Sequence, residues 1–145
     1  MKKYLIILFF TILSGGLMGK FLYDKTIDVS AMGQDMVYFL EVMSSKSYDD
    51  IVSDTKDIEP KIIVQKGEWY TCYVGISKNI DNINKIKKEY NDKYMFIENS
   101  YEVNDVEFLN NLEQFDQLLL YAESTEEINA INSVILSSYE EMVLN

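Results

Sequence analysis

Hydrophobic side chains recur along residues 37–98 with the spacings of short strands and amphipathic helices. Runs rich in β-branched and aromatic residues predict strands, and apolar side chains three or four positions apart predict helices. Pro60 ends the first predicted helix, because proline lacks the backbone donor that a helix interior needs. The predicted order is a strand over 37–43, a helix over 48–58, strands over 61–65 and 69–75, a helix over 78–90 and a strand over 94–98.

Two longer amphipathic helices are predicted after this region, over 105–121 and 125–142. Asn104 is a candidate cap for the first, and Ser124 with Glu127 forms the Ser-x-x-Glu pattern of a capping box at the start of the second. The expected fold class is therefore α+β. A β-α-β-β-α-β domain over 37–98 is followed by an acidic helical hairpin over 104–145.

The first residues of the chain show a different pattern. Residues 4–19 contain no charge, and the apolar run continues to residue 23, which gives about 20 residues, the length of a transmembrane helix. Lys2 and Lys3 favour a cytoplasmic N-terminus and a domain outside the cytoplasm. A cleaved signal peptide fits the same start, although cleavage near Ser14-Gly15-Gly16 would leave apolar residues exposed. We predict a single-pass anchor or an uncleaved signal over 1–23 and a linker over 24–36.

Charge is distributed unevenly along the 145 residues, whose net charge is −11. Residues 1–93 hold all 13 lysines and 13 of the 24 acids, whereas residues 94–145 hold 11 acids and no base. No nucleic-acid partner is expected, since phosphate binding depends on clustered lysine and arginine. The acidic C-terminal third is expected to form a separate structural unit.

Candidate chemistry is sparse. The sequence has no histidine, which is the usual proton shuttle and metal ligand, and its only cysteine is Cys72, which we expect to lie in the core. The acidic cluster of Asp49, Asp50, Asp54 and Asp57 lacks the glycine turn and the glutamate of a calcium loop, so it is expected to be a solvated helix face. No spacing of acids favours the carboxylate pair of a hydrolase. We assign no catalytic residue, no metal and no cofactor.

Two segments carry a family resemblance. Tyr70-Thr71-Cys72-Tyr73-Val74-Gly75-Ile76-Ser77 has an aromatic residue, alternating polar and apolar residues, a Val-Gly pair and a serine that opens a helix. With the order of elements, this segment resembles the SPOR (sporulation-related repeat) domain, a ferredoxin-like fold. Phe39-Leu40-Glu41-Val42-Met43-Ser44-Ser45 lies where the family has Val-Gln-Val-Gly-Ala-Phe, with Glu41 in place of glutamine and Met43 in place of the first glycine. The resemblance covers residues 37 to about 98, and the whole chain looks like single-pass membrane proteins of Firmicute type.

The resemblance implies binding of peptidoglycan glycan strands at division or sporulation septa, through the sheet face opposite the two helices. Strand alternation places Phe39, Glu41, Trp69, Thr71 and Tyr73 on that face. Aromatic rings pack on sugar faces, and hydroxyl and carboxylate groups bond to sugar hydroxyls. The helical hairpin is apolar enough to cover the same face instead, and the sequence fits both arrangements.

Two hypotheses follow for the function. The first is a non-enzymatic, membrane-anchored protein of the cell envelope that binds septal peptidoglycan. The alternative is a protein-interaction module or scaffold that docks another envelope or division protein, for which apolar helix stripes are also suited.

Overall fold

The computed structural model describes residues 35–90 and 94–145, which belong to one compact unit, Gln34–Asn145. The predicted anchor and nearly all of the predicted linker lie outside the described residues. Within the two described ranges, no helix is long and apolar enough to cross a membrane.

The described elements follow the predicted order of strands and helices. They are β1 (Asp35–Ser45), α1 (Tyr48–Asp54), β2 (Ile62–Lys66), β3 (Trp69–Ser77), α2 (Ile80–Lys87), β4 (Ile97–Val103), α3 (Val106–Tyr121) and α4 (Thr125–Leu144). The four strands form one antiparallel sheet in the order β2-β3-β1-β4. The α+β class is confirmed, and the sheet is compatible with a ferredoxin-like fold.

Helix starts are set by side-chain caps. The capping box of α4 is confirmed, with Ser124 and Glu127 each bonded to the other's backbone. The cap of α3 is Asp105, one residue after the predicted Asn104, and its carboxylate accepts the backbone N–H of Phe108. Such caps satisfy backbone donors that have no partner inside the helix.

The start of α2 differs from the prediction. Ser77 is the last residue of β3, and Asn79 caps the helix instead, accepting the backbone N–H of Asp81. Ser77 is buried, and its hydroxyl donates to Asp116 in the C-terminal hairpin. The same hydroxyl accepts the backbone N–H of Asn79 at 2.9 Å, so it bonds to the capping residue and not to a donor inside the helix.

The position of β4 was also predicted wrongly. The strand spans Ile97–Val103 rather than 94–98, because its polar residues pair with β1 in an unbroken register from Asp35↔Val103 to Glu41↔Ile97. Of the apolar residues before it, Phe96 packs with its ring centroid 5.7 Å from that of Tyr90, whereas Met95 is exposed. Backbone pairing therefore decides this strand rather than side-chain hydrophobicity.

Helices α1 and α2 pack on one face of β1 and β3. Leu40 of β1 and Ile51 of α1 are fully buried there, together with Ile83 and Ile86 of α2. A Cβ atom at Gly75 would lie 3.1 Å from Cγ2 of Ile86, so the glycine permits the close approach of α2 to the sheet.

A buried carboxylate fixes α3 to the junction between β3 and α2. Asp116 accepts hydrogen bonds from the hydroxyl of Ser77, from the backbone N–H of Lys78 at 2.8 Å and from Nδ2 of Asn82 at 3.2 Å. Burial raises the pKa of Asp116, and these three donors oppose that rise. The side chain of Asp116 thus joins α3 to both β3 and α2.

Helix α2 also holds the C-terminal end of α3. Nζ of Lys85 donates to the carbonyl oxygens of Leu119 at 2.7 Å, Leu120 at 3.1 Å and Ala122 at 3.0 Å. A cation at this position complements the helix dipole and satisfies carbonyls that lack intrahelical donors. The predicted separate unit over 104–145 is therefore bonded to the preceding domain through Asp116 in the interior of its first helix and through the C-terminal end of that helix.

Helix α4 is bonded to an irregularity in β3. Val74 has no partner in the register with β1, which pairs Tyr73 and Gly75, and β2 pairs only as far as Tyr73. The carbonyl of Val74 instead accepts hydrogen bonds from Nδ2 of Asn132 at 2.7 Å and from the hydroxyl of Tyr90 at 3.0 Å. The bulge thus provides the acceptor that positions the last helix.

Replacing Asp116 with alanine is predicted to destabilise residues 34–145 by about 3 kcal/mol, because the buried donors of Ser77 and Asn82 and the half-buried N–H of Lys78 lose their acceptor. Urea denaturation of this fragment measures the change. Glu113→Ala is the matched control on the same helix. Its carboxylate is exposed and lies 3.8 Å from Nζ of Lys78, so its loss should cost less than about 1 kcal/mol. Equal effects of the two substitutions would contradict the role given to Asp116.

Candidate glycan-binding face

All five predicted site residues lie on one face of the sheet. Glu41 pairs directly with Tyr73, and the regular register of β3 with β2 places Thr71 and Trp69 on the same face as Tyr73. Phe39 precedes Glu41 by two positions in β1 and therefore shares its face. Strand alternation was sufficient to group these residues.

The helical hairpin covers most of this face. Helix α4 packs against β3 and β2. The ring centroid of its Tyr139 lies 5.1 Å from that of Phe39 and 6.2 Å from that of Tyr73. Phe108 of α3 also contacts Tyr139, and their ring centroids lie 5.5 Å apart. Aromatic pairs at these distances and angles are favourable beyond the area they bury.

Of the two arrangements that the sequence fits, the structure therefore has the covered one at the centre of the aromatic platform. Phe39 is 0% and Tyr73 1% exposed, and Glu41 and Thr71 are buried as well. A large exposed aromatic face is unfavourable in water, and the apolar stripe of α4 removes it from solvent. The two central rings offer no free surface on which a sugar can stack.

Polar groups on this face are also bonded within the protein. The hydroxyl of Tyr101 donates to Oε1 of Glu41 at 2.6 Å, and this bond raises the pKa of Tyr101 to about 12. The hydroxyls of Thr71 and Ser44 lie 2.8 Å apart. The two groups expected to contact sugar hydroxyls are thus already paired.

Trp69 is the exception among the predicted residues. It begins β3 beside the β2–β3 turn and keeps 49% of its surface exposed. Nζ of Lys46 lies 5.3 Å from the centroid of its ring and 3.3 Å from Oε2 of Glu68. The cation and the indole form an exposed site at one end of the sheet.

The ammonium of Lys66 lies against the aromatic rings at the centre of this face. Its Nζ lies 4.6 Å from the ring centroid of Tyr101, 5.2 Å from that of Tyr73 and 5.8 Å from that of Phe39. Burial lowers the pKa of Lys66, and the nearby carboxylate of Glu41 opposes the shift. Lys66 as a whole residue remains exposed to solvent.

Sequence reasoning missed Lys66 and Tyr101. Lys66 pairs with Trp69, so the same alternation would have placed it on this face had β2 been extended by one residue. Tyr101 was missed because β4 was predicted to end before it. The signal for Tyr101 lies in its pairing with Val37, which depends on tertiary structure.

Cys72 points to the other face of the sheet and is buried. Burial raises the pKa of its thiol to about 11, so the reactive thiolate form is disfavoured at neutral pH. Its expected position in the core is confirmed.

Comparison with protein-family models, with characterised proteins and with solved structures finds no match for this chain. The resemblance to the SPOR domain therefore stays a hypothesis.

The exposure of Trp69 can be measured directly, because it is the only tryptophan in the chain. We predict that acrylamide quenches its fluorescence in the native protein with about half the Stern–Volmer slope found in urea, in proportion to its exposed surface. Lys46→Ala should increase the native slope, since the lysine lies over the ring. A native tryptophan that acrylamide does not reach would contradict the open end of the sheet.

Proposed function

We propose that the chain is a non-enzymatic, membrane-anchored protein of the cell envelope whose α+β domain docks another envelope protein. The observation that carries this choice over glycan binding is the burial of Phe39 and Tyr73 beneath Tyr139. The face that a SPOR-like domain would offer to glycan serves internal packing in this protein. A partner must bind elsewhere on the domain.

The membrane anchor in this proposal rests on the sequence. The uncharged run over 4–19, extended to residue 23, has the length of a bilayer-spanning helix, and Lys2 and Lys3 favour an N-terminus inside. The domain over 34–145 then lies outside the cytoplasm, where envelope and division proteins provide partners.

The absence of a catalytic role is supported by what the reactive groups do. Asp116 accepts three hydrogen bonds that fix α3, and Glu41 accepts the hydroxyl of Tyr101. Cys72 is buried with a raised pKa. Each group therefore has a structural role in the domain, and a catalytic pair would need to be freer to contact substrate.

A protein partner is favoured by the apolar side chains that remain exposed around β4. Met95 is exposed just before the strand, Ile97 is 52% exposed and Tyr101 is 36% exposed. Apolar and aromatic side chains in one region of a surface are typical of protein-binding sites.

A second candidate partner is peptidoglycan glycan bound at the Trp69 end alone. The indole is exposed, and Nζ of Lys46 lies 5.3 Å from the centroid of its ring. A glycan strand stripped of its stem peptides presents sugar faces and carboxylates, which suit this combination of a ring and a cation. This site is much smaller than the five-residue platform predicted from the sequence.

Photocross-linking in cells distinguishes the two partners. A benzoylphenylalanine replaces either Ile97, beside the exposed apolar side chains, or Trp69, and a third variant carries it at the exposed Glu126 of α4 as a control. The proposal predicts a discrete adduct at position 97 whose mobility is unchanged by muramidase. An adduct only at position 69 that collapses on muramidase digestion would replace the protein partner with glycan. Identical adducts at all three positions would contradict a specific surface.

A further inference from the structure

The two edge strands of the sheet differ in how well they are protected from pairing with a further strand. Edge strand β2 is five residues long, ends in Lys66 and is packed against α4. Edge strand β4 is seven residues long and pairs with β1 only, so no described strand occupies its outer side. Short length, lysine and a covering helix are the usual means by which proteins protect an edge, and β2 has all three.

Strand β4 lacks these protections. It contains neither proline nor lysine, and its register with β1 is free of bulges over all seven pairs. It extends over roughly 20 Å and presents a row of backbone donors and acceptors that a further strand can pair with. Regular, unbroken geometry of this kind is what strand addition requires.

The side chains of β4 indicate the chemistry of the added strand. Glu98 and Glu102 are exposed on one face, while Ile97 and Tyr101 are exposed on the other. No basic residue follows residue 93, and Lys87 reaches Glu98 with its Nζ 3.3 Å from Oε1. Two acids beside one lysine leave this face of the edge acidic, and the other face is apolar except that Nζ of Lys66 lies 4.6 Å from the ring centroid of Tyr101.

A second copy of this chain is disfavoured when the two β4 strands overlap over their full length. Two β4 strands paired antiparallel about Ser100 would place Glu98 of each copy opposite Glu102 of the other. Like charges directly opposite in a sheet are destabilising. A partner strand with basic residues at alternate positions removes this repulsion and gains attraction.

We infer that β4 is the docking edge for an extended, basic segment of the partner protein, which adds to the sheet as a fifth strand. Its basic side chains alternate with apolar ones, so that lysine or arginine faces Glu98 and Glu102 while apolar residues face Ile97 and Tyr101. The inference rests on the proposed function and names the chemistry of its partner.

Peptide binding to the full-length chain in non-ionic detergent tests the inference. The probe is an eight-residue peptide of alternating lysine and valine, with a glutamate–valine peptide of the same length as the charge control. Two further lysine–valine peptides carry backbone N-methyl groups, one on the odd and one on the even residues. We expect the unmodified lysine–valine peptide to bind at least tenfold more tightly than the glutamate–valine peptide, by fluorescence anisotropy.

N-methylation separates strand pairing from simple attraction of charges. Only one set of alternate N–H groups faces the neighbouring strand, so one methylated peptide should lose about tenfold or more in affinity and the other should bind nearly as the parent does. Glu102→Lys should weaken binding several-fold, whereas Glu126→Lys, an exposed acid on α4, should have little effect. Equal binding of both methylated peptides, or equal effects of both substitutions, would overturn the inference.

The remaining outcomes separate this inference from the proposed function. Failure of all peptides to bind, with a protein adduct still formed at position 97, overturns strand addition and leaves the protein partner. Peptide binding of the expected pattern without any protein adduct in cells supports the edge and contradicts the proposed function. Concentration-dependent dimerisation of the chain without peptide would identify a second copy as the occupant and overturn the basic partner.

Discussion

The contact of Tyr139 with Phe39 and Tyr73 determines whether this face of the sheet is part of the core or a binding surface. It joins the last helix to the centre of the sheet, and Phe108 extends the same cluster to α3. Burial of each large aromatic side chain contributes on the order of 2 kcal/mol, and the edge-to-face arrangement of the rings adds to it. A sheet face stabilised in this way is part of the core rather than a binding platform.

Hydrophobic packing has little directional preference, so polar contacts set where the hairpin lies. Asn132 donates to the carbonyl of Val74, which lies at the bulge in β3. Asp116 accepts hydrogen bonds from Ser77, Lys78 and Asn82. Buried polar groups of this kind cost free energy unless their partners are in place, which favours one arrangement of the helices over others. The bulge at Val74 and the buried carboxylate therefore specify the packing that the aromatic cluster stabilises.

Local patterns in the sequence were enough for the order of elements and for the capping box at Ser124. These features depend on neighbours within a few residues, as the Ser124–Glu127 exchange shows. Alternation also grouped the five candidate residues on one face. What failed depends on distant parts of the chain: β4 is defined by pairing with β1, and the hydroxyl of Ser77 donates to Asp116 of α3. Whether α4 covered Phe39 could not be decided from spacing, because its apolar stripe suited both an internal contact and a partner.

Hydrogen exchange of the full-length chain tests most directly whether the hairpin is part of the domain core. The packing of Tyr139, Ile135 and Asn132 predicts that backbone amides in the middle of α4 exchange as slowly as those of β1 and β3, through the same global opening. Exchange of α4 within seconds, while the central strands remain protected for hours, would show that the hairpin leaves the sheet readily. The aromatic face would then be open to a ligand, which would contradict its place in the domain core.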